Sequence, residues 1–308
     1  MPRYAYLGPE GTFTEAALLG WLQGRPGDLV PCSSVDTALL AVRSGDVRAA
    51  MVPLENSVEG SVSATLDALA TGSPLVIIAE ALVPVTFALM ARPGTPLGAV
   101  RTITTHPHAE AQCRAWVAEN LPESTLVLSA STAAAAAAVA EPGSPFDAAI
   151  AGPLAAEVYG LDVLADGVGA HSGAQTRFVL VSGPVPPGPA TGSDKTSLVL
   201  VMGEDHPGAL LEILTEFAVR GVNLTRIESR PTGGGIGDYF FSIDIEGHVD
   251  DARVGEALTG LRRVCAEVRY LGSYPRSSGA RPLLRRGVTD EEFREAQAWL
   301  ARIREGRT

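Results

Sequence analysis

The sequence predicts an α/β chain of two units, on three observations. Up to about residue 182, short β-branched runs alternate with helical patterns. Between Gly183 and Ser193, four prolines and three glycines forbid helix and sheet alike. Beyond that stretch the order becomes strand, helix, strand, strand, helix, strand, that of a ferredoxin-like βαββαβ sheet with two helices on one face. With 308 residues the chain is long enough for two domains, each with its own core.

In the first unit, strands are predicted at Tyr4 to Leu7, Ala49 to Leu54, Leu75 to Ile78, Val85 to Met90, Arg101 to Thr104, Thr125 to Leu128, Asp147 to Ala151 and Arg177 to Val181. Helices are predicted at Thr14 to Leu22, Val35 to Arg43, Ser61 to Ala70, Ala109 to Glu119 and Thr132 to Val139. This alternation argues for mostly parallel strands. In the second unit the strands are Ser197 to Met202, Asn223 to Ser229, Tyr239 to Ile245 and Glu267 to Tyr270, with helices at Gly208 to Arg220 and Ala252 to Arg262. Asp205-His206-Pro207-Gly208 is expected to cap the first of these helices and Gly221 to stop it. The tail is acidic and then basic from Asp290 to Arg307 and reads as one solvated amphipathic helix.

Composition narrows the function. A net charge of −11 repels nucleic acid and anionic lipid, and the only clustered cations are Arg281, Arg285 and Arg286. Neither nucleic-acid nor membrane binding is expected. Cys32, Cys113 and Cys265 are far apart and lack ligand spacing, so no disulfide framework and no zinc site is indicated. The N-terminus shows no apolar signal segment, and the most apolar region, Leu75 to Met90, is broken by Glu80 and Pro84. A cytoplasmic protein is expected.

Four stretches can carry chemistry. Tyr6 to Ala17 holds Gly8, Pro9, Gly11 and Thr12 in a strand-to-helix turn, which either offers backbone N–H groups to an anion or is only a turn. Val52 to Val62 sets Glu55, Asn56, Ser57 and Ser61 at a strand's carboxyl end, as ligands or as helix caps. Ser172 to Val181 places Thr176 and Arg177 at the mouth of an apolar strand, where a buried charge calls for an anionic partner. Thr104 to Cys113 brings His106 and His108 to a helix start without a third metal ligand at the right spacing, so capping or hydrogen bonding is favoured over metal.

The phrases YLGPEGTFTEAA, VPLENSVEGSV, GPLAAEVYGL and QTRFVLV, in this order, closely resemble the bacterial prephenate dehydratase domain from Arg3 to Val181. Lys195 to Tyr274 is similar to the amino-acid-sensing ACT domain that follows it in that family, with the DHPGALLEIL turn-helix and the IESRP strand end. The resemblance implies a two-lobed catalytic domain like type II periplasmic binding proteins at 1–182, with lobe 1 at 1–78 and 162–182 and lobe 2 at 79–161. It further implies a linker at 183–194 and an ACT domain at 195–275, which leaves a tail at 276–308. The tail's helix is expected at Asp290 to Arg304, either packed on the ACT domain or on a partner subunit or left solvated.

The implied reaction converts prephenate to phenylpyruvate, water and carbon dioxide without cofactor or metal. Two other readings keep part of this picture: arogenate as the substrate, or a non-catalytic amino-acid-sensing binding protein. No segment resembling a fused chorismate mutase precedes the domain, so a monofunctional enzyme is expected. Carried over residue by residue, the family's motif assigns catalysis to Thr176, Arg177 and Phe178, with Glu55, Asn56, Ser57, Thr105, His106 and Gln112 lining or flanking the cleft, and Gly8, Pro9, Gly11 and Thr12 binding substrate. Glu55 and His106 are the titratable candidates for proton supply. Arg177 is expected to brace the loop, since alternate strand residues face opposite ways. The chain departs from the family in reading Ser129-Ala130-Ser131-Thr132 where an acidic residue often precedes Ser-Thr, which weakens any mechanism with an essential acid there.

For the ACT domain, the resemblance implies L-phenylalanine as allosteric ligand at a dimer interface, touching Gly208, Ala209, Leu210, Asn223 and Leu224, with Glu228, Ser229 and Arg230 shaping the loop. A homodimer or a tetramer through the ACT domains follows.

Overall fold

The computed structural model describes residues 1–171, 173–203, 206–232 and 239–307. The expected cap residue Asp205, and Ser172 ahead of the Thr176 strand, lie outside the described residues. The chain forms two compact units, Met1–Thr65 with Ala81–Leu180, and Leu66–Glu80 with Val181–Thr308. Among the described residues no helix is long and apolar enough to cross a membrane, and no three His, Cys, Asp or Glu side chains gather as a metal-ligand group.

The first unit opens with β1 (Arg3–Leu7), α1 (Phe13–Leu22), β2 (Asp28–Cys32), α2 (Val35–Arg43), β3 (Ala49–Asn56), β4 (Gly60–Ser61) and the start of α3 (Ser63–Ala70). It resumes within β5 (Val76–Pro84) and continues through β6 (Ala88–Ala91), β7 (Thr102–Thr105), α4 (Pro107–Asn120), β8 (Thr125–Leu128), α5 (Thr132–Ala140), β9 (Ala148–Ala151), α6 (Pro153–Tyr159), β10 (Asp162–Ala165) and β11 (Gln175–Ser182). Two sheets result, one ordered β2-β1-β3-β11-β5 with β4 beside β3, the other β10-β6-β9-β7-β8.

Each sheet combines parallel pairs, as expected, with antiparallel ones, β4 running antiparallel to β3 in the first. β1 pairs in parallel with β2 and β3, and β7 with β8 and β9, whereas β6 runs antiparallel to β9 and β10. The return to lobe 1 expected at residue 162 therefore comes later, because β10 is held in the second sheet by β6. Ser61 belongs to β4 and α3 begins at Ser63, so the predicted helix start is two residues early.

The second unit is built of β12 (Asp194–Val201), α7 (Ala209–Ala218), β13 (Leu224–Pro231), β14 (Tyr239–Glu246), α8 (Ala252–Val264), β15 (Glu267–Pro275) and the tail helix α9 (Asp290–Arg304). Its antiparallel sheet runs β13-β14-β12-β15. Ile213 and Phe217 of α7 and Val254, Ala257 and Leu261 of α8 bury against Leu198, Leu200, Ile243 and Ile245, which places both helices on one face. Gly208, with φ +97°, is the N-cap of α7 and supplies no side-chain cap. Gly221 lies past the C-cap, Val219, in the left-handed region at φ +66°, and a Cβ there would stand 2.7 Å from a methyl carbon of Val288.

Candidate active site

The carboxyl end of β3 and the start of β11 are fastened side by side. Ser57 N–H donates to Gln175 O, and Gln175 N–H donates to Ser57 Oγ, each at 2.9 Å. Asn56 folds back as a turn residue: its Oδ1 accepts from Val58 N at 2.8 Å and Glu59 N at 3.0 Å. That fixes the amide's orientation, so its Nδ2 is the group that meets Thr176, donating to Oγ1 at 2.8 Å. A hydroxyl that receives a hydrogen bond on oxygen keeps its own hydrogen for another partner.

Thr176 and Phe178 face a cavity of about 310 Å³ between the two sheets of the first unit. Three helix N-termini reach it, each through its cap residue: Thr12 for α1, His106 for α4 and Ser131 for α5. Such ends carry partial positive charge and direct backbone N–H groups outward, which suits an anionic ligand. The apolar wall is Phe13, Val85, Phe87 and Phe178, with the Phe13 and Phe87 rings edge to face at 5.9 Å. Glu59 and His108 stand at the cavity 3.8 Å apart.

His106 is held toward its neutral form. Burial lowers its pKa from the ordinary 6.5, the neighbouring His108 adds to this, and Glu59 opposes both. Its Nδ1 accepts from His108 N at 3.3 Å, so in the neutral ring the proton sits on Nε2. Burial also pushes the Cys113 thiol in α4 up to about 12, which makes it an inert core residue.

Of the residues expected at the cleft, Thr12, Asn56, His106, Gln112, Thr176 and Phe178 come together on this cavity. Glu55, Ser57, Thr105 and Arg177 do not line it. Arg177, 6% exposed, points to the other side of β11, where its Nη1 stands 3.7 Å from the Glu55 carboxylate. Thr105 is fully buried and donates to Ile150 O at 2.6 Å. Ser57 is committed to the β3–β11 clasp.

Gly8, Pro9 and Gly11 also stand off the cavity, and their turn is already filled from within. The buried Glu15 carboxylate accepts from Gly11 N at 2.5 Å, and Thr12 Oγ1 accepts from Glu15 N at 3.3 Å. The turn is instead a packing surface. A Cβ on Gly11 would stand 3.0 Å from Ala155 Cα, Tyr159 donates its hydroxyl to Glu10 O at 2.8 Å, and Phe13 rests on Gly152. Two of the recognisable phrases, at the glycine turn and at α6, thus meet as the two halves of one seam.

Sequence reasoning missed Phe13, Val85, Phe87, Glu59, His108, Ser131 and Thr132 as cavity residues. Ser131 and Thr132 carried a signal, a serine cap directly after a strand. The aromatic wall carried none, since an apolar residue beside a helix start reads as core.

In the second unit a cavity of about 290 Å³ lies at the N-terminal end of α7, lined by Met202, Gly203, His206, Ala209, Glu212, Ile213 and Val264. His206 Nε2 and Glu212 Oε1 are 3.1 Å apart. Ala209 is on this wall and Gly208 caps the helix beside it, whereas Leu210 faces solvent. Asn223 accepts from Glu246 N through its backbone, Leu224 packs on the core, and Glu228, Ser229 and Arg230 lie along β13. Arg230 makes a two-pronged pair with Asp67, at 2.7 and 3.1 Å.

The prephenate dehydratase family profile matches residues 4–185, and the ACT domain profile matches residues 197–263. A prephenate dehydratase of Mycobacteroides abscessus is 50% identical, with 100% of this chain and 99% of the relative covered. The crystal structure of prephenate dehydratase from Arthrobacter aurescens in complex with L-Phe is 52% identical and superposes with a TM-score of 0.91, covering 98% of this chain and 99% of that one. A structure described as GqqA, a novel type of quorum-quenching acylase, is 33% identical with a TM-score of 0.80, covering 89% and 98%.

Proposed function

We propose, from the premise that this chain belongs to the prephenate dehydratase family, that the cavity beside Thr176 is where prephenate reacts. The chain is a carbon–oxygen lyase with an ACT domain, and its reaction yields phenylpyruvate, carbon dioxide and water. Two negative charges become one, so a proton is consumed. The pair of electrons from the ring-carbon–carboxylate bond enters the ring as the hydroxyl departs, and that oxygen takes up the proton.

The hydrogen bond from Asn56 Nδ2 to Thr176 Oγ1 carries the assignment. It leaves the threonine hydrogen to be donated to the departing oxygen, where charge develops in the transition state. The N-termini of α1, α4 and α5 hold the two carboxylates, and the phenylalanine wall takes the ring and restricts water. A neutral His106 serves as hydrogen-bond donor through Nε2 rather than as the acid. Glu55 and Arg177 brace β3 against β11.

In this reading the catalytic domain spans 1–182, the linker 183–194, the ACT domain 195–275 and the tail 276–308. L-Phenylalanine binds the ACT domain near the N-terminus of α7 and lowers turnover, as the L-Phe complex of the Arthrobacter relative suggests. β13 lies at the sheet's edge, which favours a homodimer or tetramer through these domains. Three free, buried cysteines suit a reducing cytoplasm.

The test is phenylpyruvate formation from prephenate, with arogenate assayed in parallel, because a shared fold does not decide the reaction. Thr176→Val is expected to lose about 100- to 1,000-fold in turnover, and Thr176→Ser to keep most of it. Asn56→Asp should fall below Asn56→Ala, since a carboxylate accepts from Thr176 and turns its hydrogen away from the substrate. Thr176→Val within about threefold of the unaltered enzyme would remove the threonine from the chemistry.

A further inference from the structure

The segment Leu66–Glu80 lies inside the stretch matched by the prephenate dehydratase profile, yet it packs with the C-terminal unit. At each end the chain runs directly into the wall of the active-site cavity. Upstream, Thr65 donates its hydroxyl to Pro53 O at 2.6 Å, and Pro53 and Asn56 line that cavity. Downstream, β5 leads within a few residues to Val85 and Phe87, which line it from the other side.

Within the second unit this segment is tied to the face of the sheet that carries no helix. Lys195 lies on that face, since Leu198 and Leu200 turn toward α7 and α8 and side chains alternate along β12. Its Nζ meets Glu80 Oε2 at 2.8 Å, the two side chains being 11% and 3% exposed. Glu80 also accepts from Ser277 N at 2.9 Å through its other carboxylate oxygen, and its backbone carbonyl accepts from Ser277 Oγ at 2.9 Å. The Arg230 fork grips Asp67 in α3, and Arg269 Nη1 reaches Gly72 O at 3.2 Å. Gly272 presses against the same segment so closely that a Cβ there would stand 2.2 Å from Ile77 O.

We infer that Leu66–Glu80 is the coupling element through which the ACT domain regulates the active site, and that the Lys195–Glu80 and Arg230–Asp67 pairs are its two latches. The inference rests on the regulatory reading given above. A ligand on the ACT sheet affects turnover only by favouring one arrangement of something that also contacts the catalytic cavity. This segment meets both requirements through covalent continuity and charged, directional ties, whereas the proline-rich linker contributes no wall residue to the cavity. Arg230, expected at the effector loop, holds the catalytic module's own α3, so strand β13 joins the sensing region directly to the segment.

The experiment uses the full-length protein and L-phenylalanine as the probe, with Asp67→Asn, Glu80→Gln and their combination. Asp67 is half exposed, so its variant keeps the test valid even where the change at the buried Glu80 disturbs folding. Turnover without L-phenylalanine and its calorimetric dissociation constant are each expected to stay within about twofold of the unaltered protein. The concentration for half-inhibition should rise about tenfold, or the maximal inhibition collapse, more in the double variant than in either single one. Inhibition unchanged in Asp67→Asn and in the double variant overturns the inference. So does a parallel loss of L-phenylalanine binding, which would make the pairs part of the ligand site. If the unaltered enzyme turns over prephenate but neither binds nor responds to L-phenylalanine, the regulatory reading fails and the inference with it.

Discussion

At His106 a structural duty and a titration fall on the same atom. Nδ1 is the acceptor that caps α4 through His108 N, and it is also where a second proton would bind. Burial and His108 lower its pKa below 6.5, so the cap is intact at neutral pH. The sign follows: the folded state disfavours the added proton, and the contribution to stability is present above the ordinary 6.5 and is lost as pH falls below it. Protonation also frees the α4 start, which carries His108, Ala109 and Gln112 on the cavity wall. We predict an acid limb in kcat/KM with its midpoint below 6.5. His106→Asn, which caps without titrating, should flatten that limb. A limb that persists unchanged in His106→Asn would assign it to another group.

At the scale of elements, legibility tracked whether local pattern or tertiary contact decided the structure. The helix Val35–Arg43, the strand Thr125–Leu128 and the tail helix Asp290–Arg304 read correctly to the residue, because caps and periodicity mark them. Pro31 masks β2 in the sequence pattern; the strand survives at the sheet's edge, where a missing N–H is tolerated. α6 is hard to read because seven residues carry little periodicity, although Pro153 at its start and Gly160 at its left-handed C-cap frame it. The site's polar half was legible at the carboxyl ends of strands, whereas the convergence of α1, α4 and α5 depends on topology that no single stretch encodes.

The seam between the glycine turn and α6 tests that distinction. A Cβ on Gly152 would stand 2.9 Å from Phe13 Cζ, and Phe13 is itself braced by Phe87 at the cavity. Gly152→Ala is expected to cost about 1–3 kcal/mol in urea unfolding through overpacking and to reduce kcat/KM about tenfold by displacing Phe13. Adding Phe13→Leu should recover most of the stability but not the activity, a non-additivity diagnostic of direct contact. Independent, additive effects would refute the seam.

For the molecule as a whole, the tail raises the question of what a chain gains from residues beyond its last strand. Three contacts bind its beginning to the second unit. Val288, 4% exposed, fills the space left by Gly221; Asp290 Oδ1 accepts from Ala252 N in the first turn of α8; and Arg285 donates to Ala218 O at the end of α7. The tail therefore satisfies one helix start and one helix end, the positions where backbone groups lack partners inside the helix. The remainder of α9 is different. Among the described residues of α9 none is buried, and Trp299, Leu300 and Ile303 face outward. Two truncations should consequently diverge. Ending the chain at Arg281 is expected to cost the C-terminal unit about 2–4 kcal/mol, the sum of a buried valine and a lost cap. Ending it at Gln297 should cost less than about 1 kcal/mol, because the surviving turns keep every contact named above. Two-probe urea unfolding, with size-exclusion to follow mass, separates the cases: equal losses would mean that the outer turns of α9 are covered in the assembled protein, and a change of mass would identify the covering surface as another copy of this chain.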